Sequence, residues 1–268
     1  MTLEDLFGLK GRVALVTGGS RGIGKMIVEG FLAAGVERVY ITARKIHEIE
    51  ATCDELGERV VGIQGDLSTM DGIQALVADL AQRERKLDIL VNNAGAAWGA
   101  DYLEFPEAGW DKVMALNVKT PFFLTQKLHG LLTAAASQER PAKVINICSI
   151  DGLRINPWET YSYQASKAAL IHLTRRMAAR LVKEQVYVTA IAPGAFPSSM
   201  NKVARDHAEA SARGIPNMRV GDALDMGGSA VYLASRAGDY TVGEILTVDG
   251  GIVNALLPTH FADPSSGH

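Results

Sequence analysis

Tyr163 and Lys167 are the two residues of this 268-residue chain whose types and spacing point most directly to chemistry. They stand one helical turn apart, so a helix would place the ammonium beside the phenol on one face. A free phenol has a pKa of about 10 and exchanges its proton poorly at neutral pH. An ammonium about 4 Å away, at an effective dielectric near 20, interacts with the phenolate by roughly 4 kcal/mol and lowers that pKa. The pair therefore predicts an acid or base that works near pH 7.

Two polar residues could assist this pair. Ser149 ends an apolar strand-like segment, where its hydroxyl could donate to a substrate carbonyl oxygen, although a lone serine there is more typical of a turn. Asn117 falls inside a helical segment, where asparagine is unfavourable, and its amide could hold a water against Lys167. A satisfied polar group of the helix is the alternative for Asn117. The candidate catalytic set is Asn117, Ser149, Tyr163 and Lys167.

A glycine-rich loop lies between an apolar strand and a helix, which is the context in which such loops bind dinucleotide phosphates. Gly18 would permit the tight turn, Gly22 a close approach of the backbone to the pyrophosphate, and Gly24 close packing of helix and strand. The loop taken alone could also be an ordinary turn. The predicted phosphate-binding residues are Gly18, Ser20, Arg21, Gly22, Ile23 and Gly24.

The end of the second predicted strand bears on the choice of dinucleotide. A carboxylate there would hold the 2′-hydroxyl of NAD, whereas a basic residue would hold the 2′-phosphate of NADP. The chain has Arg44 and Lys45 at this point and no acid, and Arg21 could face the same phosphate. Solvated surface arginines are the alternative. The sequence favours NADP(H) over NAD(H).

Two further strand ends carry candidate cofactor contacts. Asp66 and Leu67 follow the third strand and could contact the adenine ring, or Asp66 could cap the next helix in competition with Ser68. After the fourth strand, Asn92 could stabilise the sheet as well as line the site. The residues predicted to face the cofactor there are Asn93, Ala94 and Gly95.

The elements that must position these residues alternate regularly between strand and helix. Strands separated by helices need crossover connections, so the sequence predicts a single-domain, doubly wound α/β Rossmann fold with a seven-stranded parallel sheet. The domain would cover residues 1–255, with a substrate loop at 194–220 and a C-terminal tail at 256–268. The predicted strands span 12–17, 37–42, 59–64, 87–91, 143–148, 186–191 and 244–248.

Composition narrows the function classes. A net charge of −3 and a pI near 6.1 give no sign of nucleic-acid binding. The chain lacks both an apolar run of membrane-spanning length and a secretory signal, so we expect no membrane contact and a cytoplasmic location. The two cysteines, Cys53 and Cys148, are expected to be reduced, and the absence of a His/Cys cluster predicts no metal.

Together these motifs resemble the short-chain dehydrogenase/reductase family over nearly the whole chain. The resemblance rests on T-G-G-S-R-G-I-G at 17–24, G-D-L at 65–67, N-N-A-G at 92–95, Asn117, Ser149, Y-Q-A-S-K at 163–167, P-G at 193–194 and D-G-G at 249–251. It implies that Tyr163 passes the proton, Ser149 steadies the carbonyl oxygen, and Lys167 lowers the pKa of Tyr163 and holds the nicotinamide ribose. It also implies that Asn117 supports a water chain, that Pro193 and Gly194 contact the cofactor, and that the protein forms a homotetramer.

Within the family, Trp98-Gly99 and residues 193–200 resemble the 3-oxoacyl reductases of rhamnolipid and fatty-acyl pathways. For a carrier-protein substrate Arg140 is the candidate basic contact, whereas Glu184 stands where a second basic residue would be expected. An apolar ketone or acyl thioester would fit a wide apolar pocket, although each lining candidate could equally belong to the core. The candidates are Trp98, Tyr102, Ile155, Trp158, Phe196 and Met200.

The expected function is therefore NADP(H)-dependent reduction of a ketone, with a 3-oxoacyl thioester as one candidate. An NAD-dependent dehydrogenase of a secondary alcohol, such as a hydroxysteroid, is the alternative enzyme. A non-catalytic dinucleotide-binding regulator is the alternative from another class.

Overall fold

The computed structural model describes residues 1–198 and 201–255, and within these ranges seven strands form one parallel sheet. The strands are β1 (Val13–Thr17), β2 (Arg38–Ala43), β3 (Val60–Gln64), β4 (Ile89–Asn92), β5 (Ala142–Ile147), β6 (Val186–Pro193) and β7 (Ile245–Val248). Their order across the sheet is β3-β2-β1-β4-β5-β6-β7. The strand order therefore reverses between β1 and β4, which is the topological switch point of the sheet. In open α/β sheets, ligands bind in the crevice at that point.

Helices connect the strands and cover the sheet. They are α1 (Leu3–Phe7), α2 (Gly22–Ala33), α3 (Ile46–Leu56), α4 (Met70–Arg83), α5 (Glu107–Met114), α6 (Thr120–Lys127), α7 (His129–Ala135), α8 (Tyr161–Leu181), α9 (Lys202–Asp206), α10 (Ala208–Ala212) and α11 (Ala223–Ala234). A π-helical segment, Ala115–Lys119, joins α5 to α6. Short 3₁₀ turns follow β4, β5, α8 and α11.

Strand β1 shows why the sheet is buried on both faces. Ala14 and Val16 belong to one core cluster, with α2 and α11, whereas Val13 and Leu15 belong to a second, with α4 and α6. Successive side chains of a strand point to opposite faces, so a strand covered on both sides needs apolar residues at every position. The uninterrupted apolar run of β1 satisfies that requirement.

Helices α2 and α11 approach each other through a pair of glycines. A Cβ on Gly30 would lie 2.6 Å from the Cα of Gly227, a distance that side-chain carbons do not occupy. The neighbouring Gly228 has open space where its Cβ would be. Close backbone contact at this one crossing therefore packs the two helices together on one face of the sheet.

Charged side chains are buried at the amino edge of the sheet, opposite the strand ends that carry the predicted site. Lys143, at the start of β5, is 1% exposed and its Nζ lies 2.6 Å from Oδ1 of Asp239. Asp88 accepts a hydrogen bond from the Val13 N–H and lies 3.5 Å from Arg140. The first pair fixes the start of β5 to the segment that follows α11, and the contacts of Asp88 join the starts of β1, β4 and β5.

The predicted seven-stranded, doubly wound fold is confirmed, with strand bounds that shift by one or two residues. The loop predicted at 194–220 contains the two short helices α9 and α10. The predicted tail at 256–268 and Met200 lie outside the described residues. Of the helices that are described, none has the length and apolarity needed to cross a membrane.

Candidate active site

A cavity of about 850 Å³ lies at the carboxyl ends of the strands. Nearly all of the predicted site residues line it. These are Gly18, Ser20, Arg21, Gly22, Ile23, Gly24, Arg44, Asp66, Leu67, Asn93, Ala94, Gly95, Ser149, Tyr163, Lys167, Pro193 and Gly194. Residues from the ends of six strands therefore meet in one space, as the topology of a parallel sheet requires.

The glycine loop forms one wall of this cavity and leaves room for a ligand backbone contact. Gly18 and Gly22 have φ values of +65° and +53°, in the left-handed region that favours glycine. A Cβ on Gly24 would lie 2.2 Å from the carbonyl oxygen of Gly18, so α2 begins in direct contact with the loop. No side chain caps the first turn of α2, whose N–H groups thus remain free to meet an anion. The loop fits a diphosphate.

Asn93 and its neighbour hold the loop and the sheet in different ways. The Asn93 amide donates to the carbonyl oxygens of Thr17 and Gly18, at 2.8 and 3.1 Å. Asn92 is buried and donates to Asn146 on β5 and to Thr125 on α6. Asn93 thus fixes the glycine loop, while Asn92 stabilises the sheet.

Three basic residues and one acid surround the end of β2. Arg44 is exposed and makes no ion pair within the described ranges. Arg21 and Lys45 both contact Glu48, at 3.1 and 3.0 Å. The sequence reasoning missed Glu48, which lies in the first turn of α3 and lines the cavity. A carboxylate therefore occupies the space between two of the cations that could bind a 2′-phosphate.

Asp66 lines the cavity but does not cap a helix. Its carboxylate accepts hydrogen bonds from the N–H and the hydroxyl of Ser68, at 3.0 and 2.8 Å. The N-cap of α4 is Thr69, whose hydroxyl accepts from the Gly72 N–H. Both capping interpretations, by Asp66 and by Ser68, are therefore wrong.

Ser149, Tyr163 and Lys167 form the opposite wall. Ser149 stands two residues beyond β5, and its hydroxyl oxygen accepts from the Asp151 N–H at 3.1 Å. Tyr163 and Lys167 lie in the first two turns of α8. The Lys167 ammonium donates to the Ile147 carbonyl at 2.8 Å and lies 5.5 Å from the centroid of the Tyr163 ring.

The pKa of Tyr163 in this wall differs from what the sequence predicts. Burial raises the pKa of Tyr163 to about 12, against the opposing effect of its hydrogen bond with Ser149, and the charge of Asp151 adds to the rise. Burial also lowers the pKa of Lys167. The expectation that Lys167 lowers the pKa of Tyr163 is wrong for this structure, because the ammonium is directed at a strand carbonyl and burial dominates.

Asn117 lies in the π-helical segment and is buried, with 1% of its surface exposed. Its Oδ1 accepts from the Ala96 N–H at 2.8 Å, and its Nδ2 donates to the Ala96 carbonyl and the Ser166 hydroxyl, each at 2.9 Å. Both amide N–H groups are thus in use, and Oδ1 keeps a second lone pair that could accept from a water. The side chain fixes the segment after β4, and its role in holding a water stays a prediction.

The substrate end of the cavity has both apolar and polar lining, from partly different residues than predicted. Trp158 and Phe196 line it, whereas Trp98, Tyr102 and Ile155 do not. Trp98 packs on Gly109 beneath the Lys112 ammonium, and the side chains of Tyr102 and Ile155 are 71% and 89% exposed. The polar lining residues that the sequence reasoning missed include Asp151, Arg154 and Asn156. They follow Ser149 closely in the sequence, and this proximity could have identified them as lining residues.

Arg140 and Glu184 do not approach the cavity mouth. Arg140 donates to the carbonyls of Lys10 and Gly11 ahead of β1. Glu184 contacts His129 and Arg180 beyond the C-terminal end of α8. Both residues lie at the amino edge of the sheet, so the expectation that Arg140 contacts a carrier protein at the mouth is wrong.

Comparisons with known proteins agree with the fold and the motifs. Residues 12–209 match the short chain dehydrogenase family. The chain is 45% identical over 254 residues to the rhamnolipids biosynthesis 3-oxoacyl-[acyl-carrier-protein] reductase of Pseudomonas aeruginosa, covering 93% of this chain and 99% of the relative. It is 38% identical over 252 residues to the 2-dehydro-3-deoxy-D-gluconate 5-dehydrogenase of Escherichia coli, covering 91% and 96%.

Solved structures give the same result. The Pseudomonas aeruginosa RhlG/NADP active-site complex superposes with a TM-score of 0.89 at 44% identity, covering 93% of this chain and 99% of that one. A gluconate 5-dehydrogenase from Burkholderia cenocepacia J2315, in complex with NADP and tartrate, superposes with a TM-score of 0.85 at 29% identity, covering 95% and 100%. This chain therefore belongs to the short chain dehydrogenase family.

Proposed function

We propose that the protein is an NADP(H)-dependent oxidoreductase that reduces a ketone to a secondary alcohol, with a 3-oxoacyl thioester as one candidate substrate. The observation that carries the proposal is the meeting of two walls in one cavity. The glycine loop lies on one side, and Ser149, Tyr163 and Lys167 lie on the other. The relatives named as a 3-oxoacyl reductase and as an NADP complex support it.

The dinucleotide would be held by groups along the first wall. The glycine loop and the first turn of α2 would bind the diphosphate, and Arg44, with Arg21 and Lys45, the 2′-phosphate. The residues after β3, β4 and β6 would contact the adenine and nicotinamide ends. NADP(H), when bound, supplies or accepts the hydride that moves to or from the carbonyl carbon.

The residues of the second wall would supply the proton and orient the carbonyl. A pKa of about 12 keeps Tyr163 protonated at neutral pH, so it can donate its proton to the carbonyl oxygen during reduction. The Ser149 hydroxyl would donate to the same oxygen as negative charge develops on it. Lys167, anchored on the Ile147 carbonyl, would place its positive charge beneath the reacting groups.

A keto-sugar acid is a second candidate substrate. The polar lining by Asp151, Arg154 and Asn156 favours it over a purely apolar ketone. The gluconate-related relatives in Escherichia coli carry names of that class. The cavity thus accommodates a ketone with hydrogen-bonding or charged substituents.

Turnover is tested by following the absorbance of reduced nicotinamide with acyl-thioester, sugar-acid and aryl ketones. We expect Tyr163→Phe to abolish NADPH oxidation while NADPH still binds, and Ser149→Ala to lower kcat by about 100-fold or more. Full turnover by Tyr163→Phe would contradict the assignment of the acid. NADPH binding with no turnover of any ketone would favour the regulator.

The cofactor preference is tested at the end of β2. Arg44→Ala should weaken NADPH binding by about 10-fold and leave NADH binding within twofold, because only NADPH carries the 2′-phosphate. Calorimetric titration of both coenzymes measures this. Better turnover with NADH than with NADPH in the unaltered protein would contradict the preference.

The oligomeric state and the cellular location of the protein belong to the same proposal. A homotetramer is expected from the family resemblance, and light scattering after gel filtration measures it directly. A cytoplasmic location is supported by the two free cysteines, Cys53 and Cys148, since thiols persist in reducing compartments. Fractionation of cells that produce the protein tests the location.

A further inference from the structure

Arg154 is a cation that the proposed reaction does not use. It lines the cavity on the segment that follows Ser149, and its Nε is buried without a hydrogen-bond partner. Across residues 1–198 and 201–255, no carboxylate forms an ion pair with its guanidinium. The side chain as a whole is half-buried, but its enclosed Nε–H has no acceptor, and an anionic ligand could supply one.

The segment that carries Arg154 is held in place. The Arg154 N–H donates to the Ile150 carbonyl at 2.9 Å, which closes a helical turn directly after Ser149. Two residues later, Asn156 is 8% exposed, and its Oδ1 accepts from the Trp158 N–H and the Gln164 amide, at 2.8 and 3.2 Å. These bonds tie the segment to itself and to α8, so the arginine is presented from a fixed backbone.

Asp151 does not compensate the charge of Arg154. Asp151 lies three residues earlier and also lines the cavity, which is the spacing at which side chains of one turn can pair. It acts electrostatically on Tyr163 and Lys167, and no ion pair joins it to Arg154 in the part of the chain that the structure describes. The guanidinium therefore remains free to form charge-assisted hydrogen bonds with a ligand.

Position separates Arg154 from the cations of the cofactor end. Arg21, Arg44 and Lys45 surround the end of β2, whereas Arg154 follows β5 beside the proposed catalytic wall. A cofactor phosphate bound by the cations at the end of β2 would leave Arg154 without an anionic partner. The cavity thus presents one cationic group at each of two separate regions.

We propose that Arg154 binds an anionic group of the substrate, a carboxylate or a phosphate, and so selects anionic carbonyl compounds over neutral ones. The inference rests on the proposed function, since it assigns the substrate of the same cavity. Arginine suits this task because its planar fork matches both oxyanions. The carbonyl carbon would then lie between the Arg154 anchor and the Ser149 and Tyr163 hydroxyls.

Two matched pairs of substrates test the proposal and separate the two anions. L-Sorbose differs from 5-keto-D-gluconate in carrying a hydroxymethyl group in place of the carboxylate. Acetoacetyl-N-acetylcysteamine retains the reactive thioester of acetoacetyl-CoA and lacks its phosphates. The ratio of kcat/KM within each pair is measured for the unaltered protein and for Arg154→Met, with Arg154→Lys as the conservative variant.

We expect Arg154→Met to lower kcat/KM for the anionic member of one pair by about 10- to 100-fold, chiefly through KM, and to change the neutral member less than twofold. Arg154→Lys should retain part of the preference. Loss in the sugar-acid pair identifies a carboxylate, and loss in the thioester pair identifies a phosphate. Arg175→Gln, which removes an exposed arginine of α8 outside the cavity, should change neither ratio.

Equal losses for charged and neutral members, or no loss for either, would overturn the proposal. A binding measurement keeps this outcome separate from failure of the proposed function. With NADPH-saturated protein, calorimetry compares D-gluconate with sorbitol and CoA with pantetheine. Should no ketone be reduced, the proposed function fails, while binding of an anion that Arg154→Met abolishes still supports the anchor; equal binding of both members contradicts it.

Discussion

At the scale of single residues, the Tyr163 hydroxyl combines burial with access to the cavity. Its pKa of about 12 arises because the phenolate loses hydration in the enclosed wall, and the Ser149 hydrogen bond only partly offsets this loss. Lys167 supplies less than its spacing suggested, since its ammonium bonds the Ile147 carbonyl. Tyr163 can therefore donate a proton at neutral pH, but it is a poor proton acceptor until a ligand changes the local charge.

This arrangement predicts the titration of Tyr163 in the cofactor-free protein. The phenolate absorbance of the unaltered protein, minus that of Tyr163→Phe, should show no ionisation at pH 10 and a midpoint near 12. An ionisation midpoint below 10 would restore the idea of a phenol made acidic by lysine. Because the pKa is higher in the folded than in the unfolded chain, any stability from this group is present below pH of about 10 and is lost between about 10 and about 12.

Glu48 sets a second residue-scale expectation. Its carboxylate pairs with both Arg21 and Lys45, so it competes with a 2′-phosphate for the same cations. Glu48→Gln should tighten NADPH binding by about threefold and leave NADH binding unchanged, because exposed ion pairs are individually weak. Calorimetric titration measures both affinities, and weaker NADPH binding in the variant would show that Glu48 instead positions the two cations for the phosphate.

At the scale of elements, the crossing of α2 and α11 depends on the absence of side-chain atoms at one point. Gly30→Ala should lower the free energy of unfolding by about 1–3 kcal/mol, because its Cβ would meet the backbone of Gly227. Gly228→Ala, in α11 beside Gly227 and facing open space, should raise it by about 0.5–1 kcal/mol through helix propensity. Urea unfolding of both variants measures the difference; similar effects of the two substitutions would mean that the crossing is not close-packed.

The helices, the strands and the glycine loop could be predicted well from the sequence. Continuous apolar runs such as 13–16 can be satisfied only by strands buried on both faces, and glycines at 18, 22 and 24 mark the one loop whose backbone must approach the helix and the ligand. Side-chain direction in the irregular segments after β4 and after Ser149 follows no such period. The apolar pocket was therefore mispredicted at Trp98, Tyr102 and Ile155, and Arg154 was missed.

At the scale of the whole molecule, the two edges of the sheet have separate tasks. Buried ion pairs lie at the amino edge and the cavity lies at the carboxyl edge. Asp239→Asn removes the partner of the buried Lys143, so it should lower the free energy of unfolding by about 3 kcal/mol. Adding Lys143→Met should recover much of that loss, because the buried cation is then gone and Arg236, the other partner of Asp239, is exposed to water.

The same variants test whether the edges are independent. NADPH affinity should stay within twofold in Asp239→Asn, because the substitution lies across the sheet from the ligand. Calorimetry at a temperature where the variant is fully folded makes this measurement. A large loss of affinity would show that strain passes along β5 from one edge to the other.

The strand order has a consequence for how the molecule comes into being. Strands β1, β2 and β3 are neighbours in the sheet and leave the ribosome first, together with the glycine loop. Strand β4 then pairs with the free edge of β1, and Ser149 and Tyr163 emerge later, after β5 and with α8. The ribosome therefore completes the nucleotide-binding loop before it completes the residues that would donate the proton. The growing polypeptide can become an active enzyme only when the second half of the sheet packs beside the first.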